Sequence, residues 1–103
     1  MPYQFLPEGL AKKIPKLYSQ EDVKDPMVVT KFFTPWSNWT WYVIEYDGED
    51  RFYGLVDGFE KEFGYFTRTE LESVVGPMGL KIERDINWSP KPISEVKKEL
   101  GMG

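Results

Sequence analysis

Apolar and polar positions change their period several times along the chain, and each change marks an element. Leu6, Leu10, Ile14 and Leu17 recur at spacings of three and four, which predicts a short amphipathic helix over residues 7–14. Pro15 lacks an amide hydrogen and restricts the residue before it, so the helix should end near Lys13. Residues 18–26 are polar and aperiodic, a loop. Met27–Thr34 is rich in β-branched and aromatic residues and predicts a first strand. After a turn at Pro35-Trp36-Ser37-Asn38, Trp39–Tyr46 is apolar on both faces, the pattern of a central strand covered on both sides. Asp47-Gly48-Glu49-Asp50 is a hairpin signal, since Asp-Gly accepts the positive φ of tight turns.

In the next strand, Arg51–Gly58, Phe52, Gly54 and Val56 alternate with Tyr53, Leu55 and Asp57. Gly54 and Gly58 mark a bulge or a place where a large ring lies on bare backbone. Residues 59–64 turn the chain into a short fourth strand, Gly64–Thr67. Thr67-x-x-Glu70 and Thr69-x-x-Glu72 both have capping-box spacing, so a helix starts there, buries Leu71, Val74 and Val75, and stops at Gly76-Pro77. Residues 80–88 alternate over nine positions as a strand with one wet face. Ser94 would cap a last helix to Leu100, with Ile93, Val96 and Leu100 on its buried side, and the end at Gly103 should fray.

The expected architecture is a single α+β domain, residues 1–103, with a mostly antiparallel sheet of about five strands and two or three short helices on one face or end. Within it lie an N-terminal helix and loop (1–26), an aromatic-rich β-meander (27–66), a helix (67–76), a strand (80–88) and a C-terminal helix (93–100). A chain of 103 residues supports one core. Thirteen of the seventeen aromatic residues fall between Phe32 and Phe66, so that core is built from rings in the middle third. Trp36, Trp39, Trp41, Tyr42 and Tyr46 are assigned mainly to packing. An exposed ring such as Trp36 could dock a partner, and base stacking on these rings lacks the positive groove that phosphate requires.

Net charge is −4 and unevenly placed: +1 over residues 1–44, −5 over 45–62 and zero over 63–103. This disfavours a general nucleic-acid binder. No apolar run is long enough to span a bilayer, and Met1–Phe5 shows no secretory signal, which predicts a cytoplasmic protein without membrane contact. There is no cysteine and no histidine, so disulfides, thiolate chemistry and the usual general base and metal ligand are missing. The expectation is no enzyme, no cofactor and no metal. Asp47, Glu49, Asp50 and Glu45 could suit a hard cation but serve a solvated hairpin tip better. Gly76-Pro77-Met78-Gly79 lacks the lysine of a phosphate-cradling loop.

Two constellations remain. Glu45, Asp47, Glu49, Asp50, Asp57, Glu60 and Glu62 could form an acidic ridge that, with Trp36, docks a basic protein surface. Arg84, flanked by Glu83 and Asp85, would point inward and form a structural ion pair with Glu62 or Glu45.

The segments Lys13–Tyr18, Lys24–Pro26, Lys31–Pro35, Ser37–Tyr42, Glu45–Asp50, Phe52–Gly54, Glu62–Phe66 and Glu83–Asp85 make the chain resemble a bacterial and phage family known as domain of unknown function 2958. The resemblance spans roughly residues 6–95 and brings no catalytic residues. It implies a setting on plasmids, conjugative elements and phages, near antirestriction or DNA-maintenance genes. The leading functional expectation is thus a non-catalytic interaction protein of a mobile element, an anti-defence factor binding a protein partner. The alternatives are a DNA- or RNA-associated module using exposed aromatics and a small enzyme or metal-dependent protein.

Overall fold

The computed structural model describes residues 4–102, so the readings made at Met1–Tyr3 and Gly103 lie outside the described residues. The elements are α1 (Glu8–Ala11), β1 (Met27–Val28), β2 (Thr30–Phe33), β3 (Thr40–Tyr46), β4 (Arg51–Asp57), β5 (Lys61–Thr67), α2 (Arg68–Ser73), a 3₁₀ turn (Pro77–Gly79), β6 (Glu83–Arg84), β7 (Lys91–Pro92) and α3 (Ile93–Glu99). β2 to β5 form a meander and β6 returns beside β2, giving an antiparallel sheet of order β5-β4-β3-β2-β6. The fold is α+β, with the expected number of strands in its main sheet.

Both faces of that sheet are covered, rather than one face or end. On one face Phe32, Val43, Tyr46, Phe52 and Phe66 pack with Leu6, Ile14, Leu71 and Ile82. Tyr46 stacks on Phe52 at 4.4 Å, and Phe5 on Phe32 at the same separation. On the other face Tyr42, Ile44 and Leu55 pack with Val28, Ile93 and Val96, and Trp88 closes the end. The ring-rich middle third therefore does supply the interior, as large rings bury much area each.

Several local expectations are corrected. The strand over 27–34 is split at Val29: β1 turns away to pair with β7, while Val29 still donates to the Val43 carbonyl at 3.0 Å. The strand over 80–88 shrinks to Glu83–Arg84, because Asp85 accepts the Asn87 amide at 2.9 Å and its carbonyl accepts from Trp88 at 3.2 Å. That turn lifts the chain off the sheet, leaving Ile86 exposed and carrying Trp88 to the opposite face. Helix α2 is capped by Thr67, whose Oγ1 accepts the Glu70 amide at 3.1 Å, but it ends at Ser73 and leaves Val74 and Val75 outside. Helix α3 starts after Pro92, and the carboxylate serving it comes from the loop at Asp25. Asp25 accepts the Ser94 amide at 2.9 Å and the Ser94 hydroxyl at 2.6 Å.

β3 and β4 hold the irregularity that matters most. Val43 lies opposite Gly54 and Glu45 opposite Tyr53, so Ile44 is an extra residue in β3. This bulge presses β3 onto Gly54, where a Cβ would stand 1.8 Å from the Tyr42 carbonyl oxygen. At Gly58 a Cβ would meet the Trp39 ring at 2.3 Å. The two glycines are thus required by a bulge and by a ring on bare backbone respectively.

Gly54→Ala is expected to cost about 3 kcal/mol or more in chemical denaturation, because backbone must move. Gly64→Ala, where a Cβ meets nothing within 4 Å, is expected to stay within about 0.5 kcal/mol of wild type.

Candidate functional site

The bulge changes the phase of β3. Without the extra residue Glu45 would share the face of Val43; instead it stands with Tyr53 on the other face, beneath the loop over residues 16–26. There it is 4 % exposed, and its two oxygens accept the amides of Tyr18 at 2.8 Å and Gln20 at 2.9 Å. The next residue, Tyr46, donates its amide to the Pro15 carbonyl at 2.9 Å. These three bonds bind the loop to β3 and hold Tyr18 at φ 68°, a left-handed conformation uncommon for a bulky residue. A buried carboxylate, a bulge and a strained tyrosine thus coincide.

Their product is a cleft of about 380 Å³, a size suited to part of a ligand or a few side chains. Tyr18 meets Tyr65 edge-on at 6.3 Å, Tyr65 meets Tyr53 at 5.1 Å, and Tyr53 stacks on Phe63 at 6.3 Å. Ile44 and Glu45 are among the lining residues, along with Val23 and the lysines Lys24 and Lys97. Lys97 Nζ lies 5.2 Å from the Phe63 ring and the Arg51 guanidinium 5.9 Å from Tyr65. Tyr18, Phe63 and Tyr65 are 54 %, 41 % and 52 % exposed, a contiguous aromatic patch of the kind that marks contact surfaces. Partial desolvation, then the neighbouring Tyr18, pushes the Tyr65 phenol above its ordinary value. The arrangement offers ring faces and phenol hydroxyls to a bound group.

The residues singled out from the sequence are dispersed. Glu45 is internal rather than part of a surface ridge. The Asp47 Oδ1 accepts the amides of Glu49, Asp50 and Arg51 at 2.8, 2.8 and 3.0 Å; burial raises its carboxyl, and these bonds outweigh that and hold it below 3.8. Asp50 accepts the amide and hydroxyl of Thr69 at 2.8 and 2.7 Å, tying the hairpin to the start of α2. Glu49 remains exposed at the hairpin and Asp57 is half-buried at the end of β4. Glu60 and Glu62 stay together in solvent at the β4–β5 turn, beside Phe59, which is 94 % exposed and meets Trp39 edge-on at 5.2 Å. Trp36 is half-buried against Gly76 rather than free to dock. The Arg84–Glu62 pair is not made: β6 and β5 are opposite edges of the sheet, about 19 Å apart by strand spacing. Arg84 Nη1 donates to the carbonyls of Gln4 and Phe5 instead.

The sequence reading missed Tyr18, Tyr53, Phe63 and Tyr65. The available signal was Tyr53, Phe63 and Tyr65 alternating along two paired strands, on the side away from Phe52 and Phe66.

A small α+β domain with a bulged meander and an aromatic cleft is the class that fold and site define. A profile of the family described as Protein of unknown function (DUF2958) matches residues 6–99, nearly the whole chain, and the protein belongs to that family. No curated protein and no solved structure matches it. Among the described residues no helix is long and apolar enough to cross a membrane.

Glu45→Ala leaves two loop amides without an acceptor, and a loss of about 1–3 kcal/mol is expected in denaturation. Hydrogen exchange should show the Tyr18 and Gln20 amides losing protection while the β3–β4 ladder keeps its own. A second expectation concerns pH. The Ser94 hydroxyl and then the Ser94 amide hold the Asp25 carboxyl below its ordinary value of 3.8. Its stabilising contribution is therefore complete above the unfolded value and is lost as pH falls below 3.8 through the folded value. Asp25→Asn should flatten the acid limb of the stability curve in that window.

Proposed function

We propose that the protein is a non-catalytic recognition module that holds a segment of a partner polypeptide in the tyrosine cleft. The observation that carries this reading is the cluster of Tyr18, Tyr53 and Tyr65 with Phe63, left open to solvent while Glu45 and the bulge hold its wall in place. Tyrosines contribute large rigid contact area with a polar tip, which suits protein recognition. Lys24 and Lys97 share the cleft lining with Glu21 and Glu45, and Arg51 adds one charge at the Tyr65 ring, so the lining carries no cluster of cations of the kind that a nucleic-acid backbone would need. The raised Tyr65 phenol fits binding rather than proton abstraction.

The acidic docking surface is retained in a narrower form. Of its members, Glu60 and Glu62 lie beside the protruding Phe59, and together they make a secondary contact suited to a basic surface. The mobile-element setting implied by the family resemblance makes a host or element protein the natural class of partner, and anti-defence the role such binding would serve.

Selection from a random peptide display library tests the reading. Wild-type protein is expected to enrich one peptide pattern, Tyr18→Ala with Tyr65→Ala to lose it by tenfold or more, roughly 1.4 kcal/mol, and Ile86→Ala, exposed at the opposite edge of the sheet, to keep it. No enrichment, or enrichment indifferent to the two tyrosines, would remove the cleft from the account; capture of single-stranded oligonucleotide at low salt by the same rings would move the function to nucleic acid.

A further inference from the structure

We infer that the protein pairs with a second copy of itself along β5, joining the two five-stranded sheets into one continuous sheet about a two-fold axis at Gly64. β5 is an edge of the sheet, seven residues long, and among the described residues nothing pairs with its outer side. Its ladder to β4 is bracketed by two bonds, Arg68 N–H to the Asp50 carbonyl at 2.7 Å and Gly58 N–H to the Glu60 carbonyl at 3.1 Å. Antiparallel alternation between those ends makes Phe52/Phe66, Gly54/Gly64 and Val56/Glu62 the bonded pairs. The amides and carbonyls of Lys61, Phe63, Tyr65 and Thr67 therefore point away from the sheet.

Edge strands in monomers are usually blunted by proline, a bulge, shortness or an inward charge. β5 has no proline and no register shift, its charges sit at one end, and its centre reads Phe63-Gly64-Tyr65-Phe66. The strand is also self-complementary. Antiparallel pairing about Gly64 sets Lys61 against Thr67 and Phe63 against Tyr65 of the other copy, so that all four outward-pointing residues bond at once. Phe63 and Tyr65, exposed in the single chain, become cross-strand aromatic partners. Just past the two ends of the strand, Glu60 in the turn falls on the side of Arg68 at the start of α2, Glu62 is diagonal to it, and no like charges meet directly.

This charge match favours a second copy over a foreign strand. Within one chain Glu60 lies close enough to Glu62 to push its carboxyl upward, by a shared hydrogen bond and then by charge, and the other copy's Arg68, which already holds Glu72 of its own chain, would bring a second contact to that crowded pair. The pairing also closes on itself. The opposite edge, β6, is two residues long, and Arg84 there is tied to the Gln4 and Phe5 carbonyls, so growth beyond a dimer has no template.

Sedimentation and single-cysteine cross-linking of the full chain test the inference. The wild type is expected to sediment as a dimer. Phe63→Pro removes an outward amide but no bond to β4, and is expected to weaken the dimer at least about tenfold. In case proline disturbs the strand itself, Gly64→Cys gives a second route, since the natural chain has no cysteine and a Cβ at Gly64 meets nothing. In the non-bonded pair at the axis the two Cα atoms would lie about 4.5 Å apart, within disulfide range. Mild oxidation should cross-link this variant at least about tenfold faster than Phe59→Cys at the exposed turn. A wild type that stays monomeric at every concentration, or equal cross-linking of the two variants, would overturn the pairing.

Discussion

The contact between the Glu45 carboxylate and the amides of Tyr18 and Gln20 is the constraint on which the rest of the cleft depends. A carboxylate taken from water must find donors, and two backbone amides in a loop are donors that must find an acceptor. Each satisfies the other across 25 or more positions of sequence. The bulge at Ile44 makes this possible by turning Glu45 to the loop side and Tyr46 to the opposite core in consecutive residues.

The same bulge explains how one strand serves two cores. Tyr42 and Ile44 face α3, Val43 and Tyr46 face the N-terminal segment and α2, and the change of phase falls where Gly54 lets the two backbones approach. Coverage of the second face is incomplete over β4 and β5, because α3 is short and its packing is spent on Ile93 and Val96. The open remainder is the tyrosine surface. The cleft is therefore a consequence of a sheet wider than the elements available to cover it, with the loop over residues 16–26 forming one wall.

Much of the fold was legible because it rests on local chemistry. The Asp47-Gly48 hairpin, the Thr67 cap and the need for glycine at 54 and 58 follow from turn geometry, helix-end amides and steric exclusion. The nine-residue alternation over 80–88 misled, since period two shows which side chains could share a face and not whether a neighbouring strand exists to hold them. The acidic residues misled for a related reason. Composition counts Glu45 as surface charge, whereas it is buried under a distant loop, and Asp47 and Asp50, though at the surface, spend oxygens on the amides of a tight turn and a helix start.

By itself the sequence determined the class of fold, the ring-built interior and the local character of the acidity, since each depends on residue type and near-neighbour spacing. Only the tertiary structure decided which carboxylate is buried, that Arg84 and Glu62 lie on opposite edges, and that tyrosines from three separate segments share one opening. Those outcomes turn on strand order and on one inserted residue in a register, and a period-two pattern is the same on either side of such an insertion.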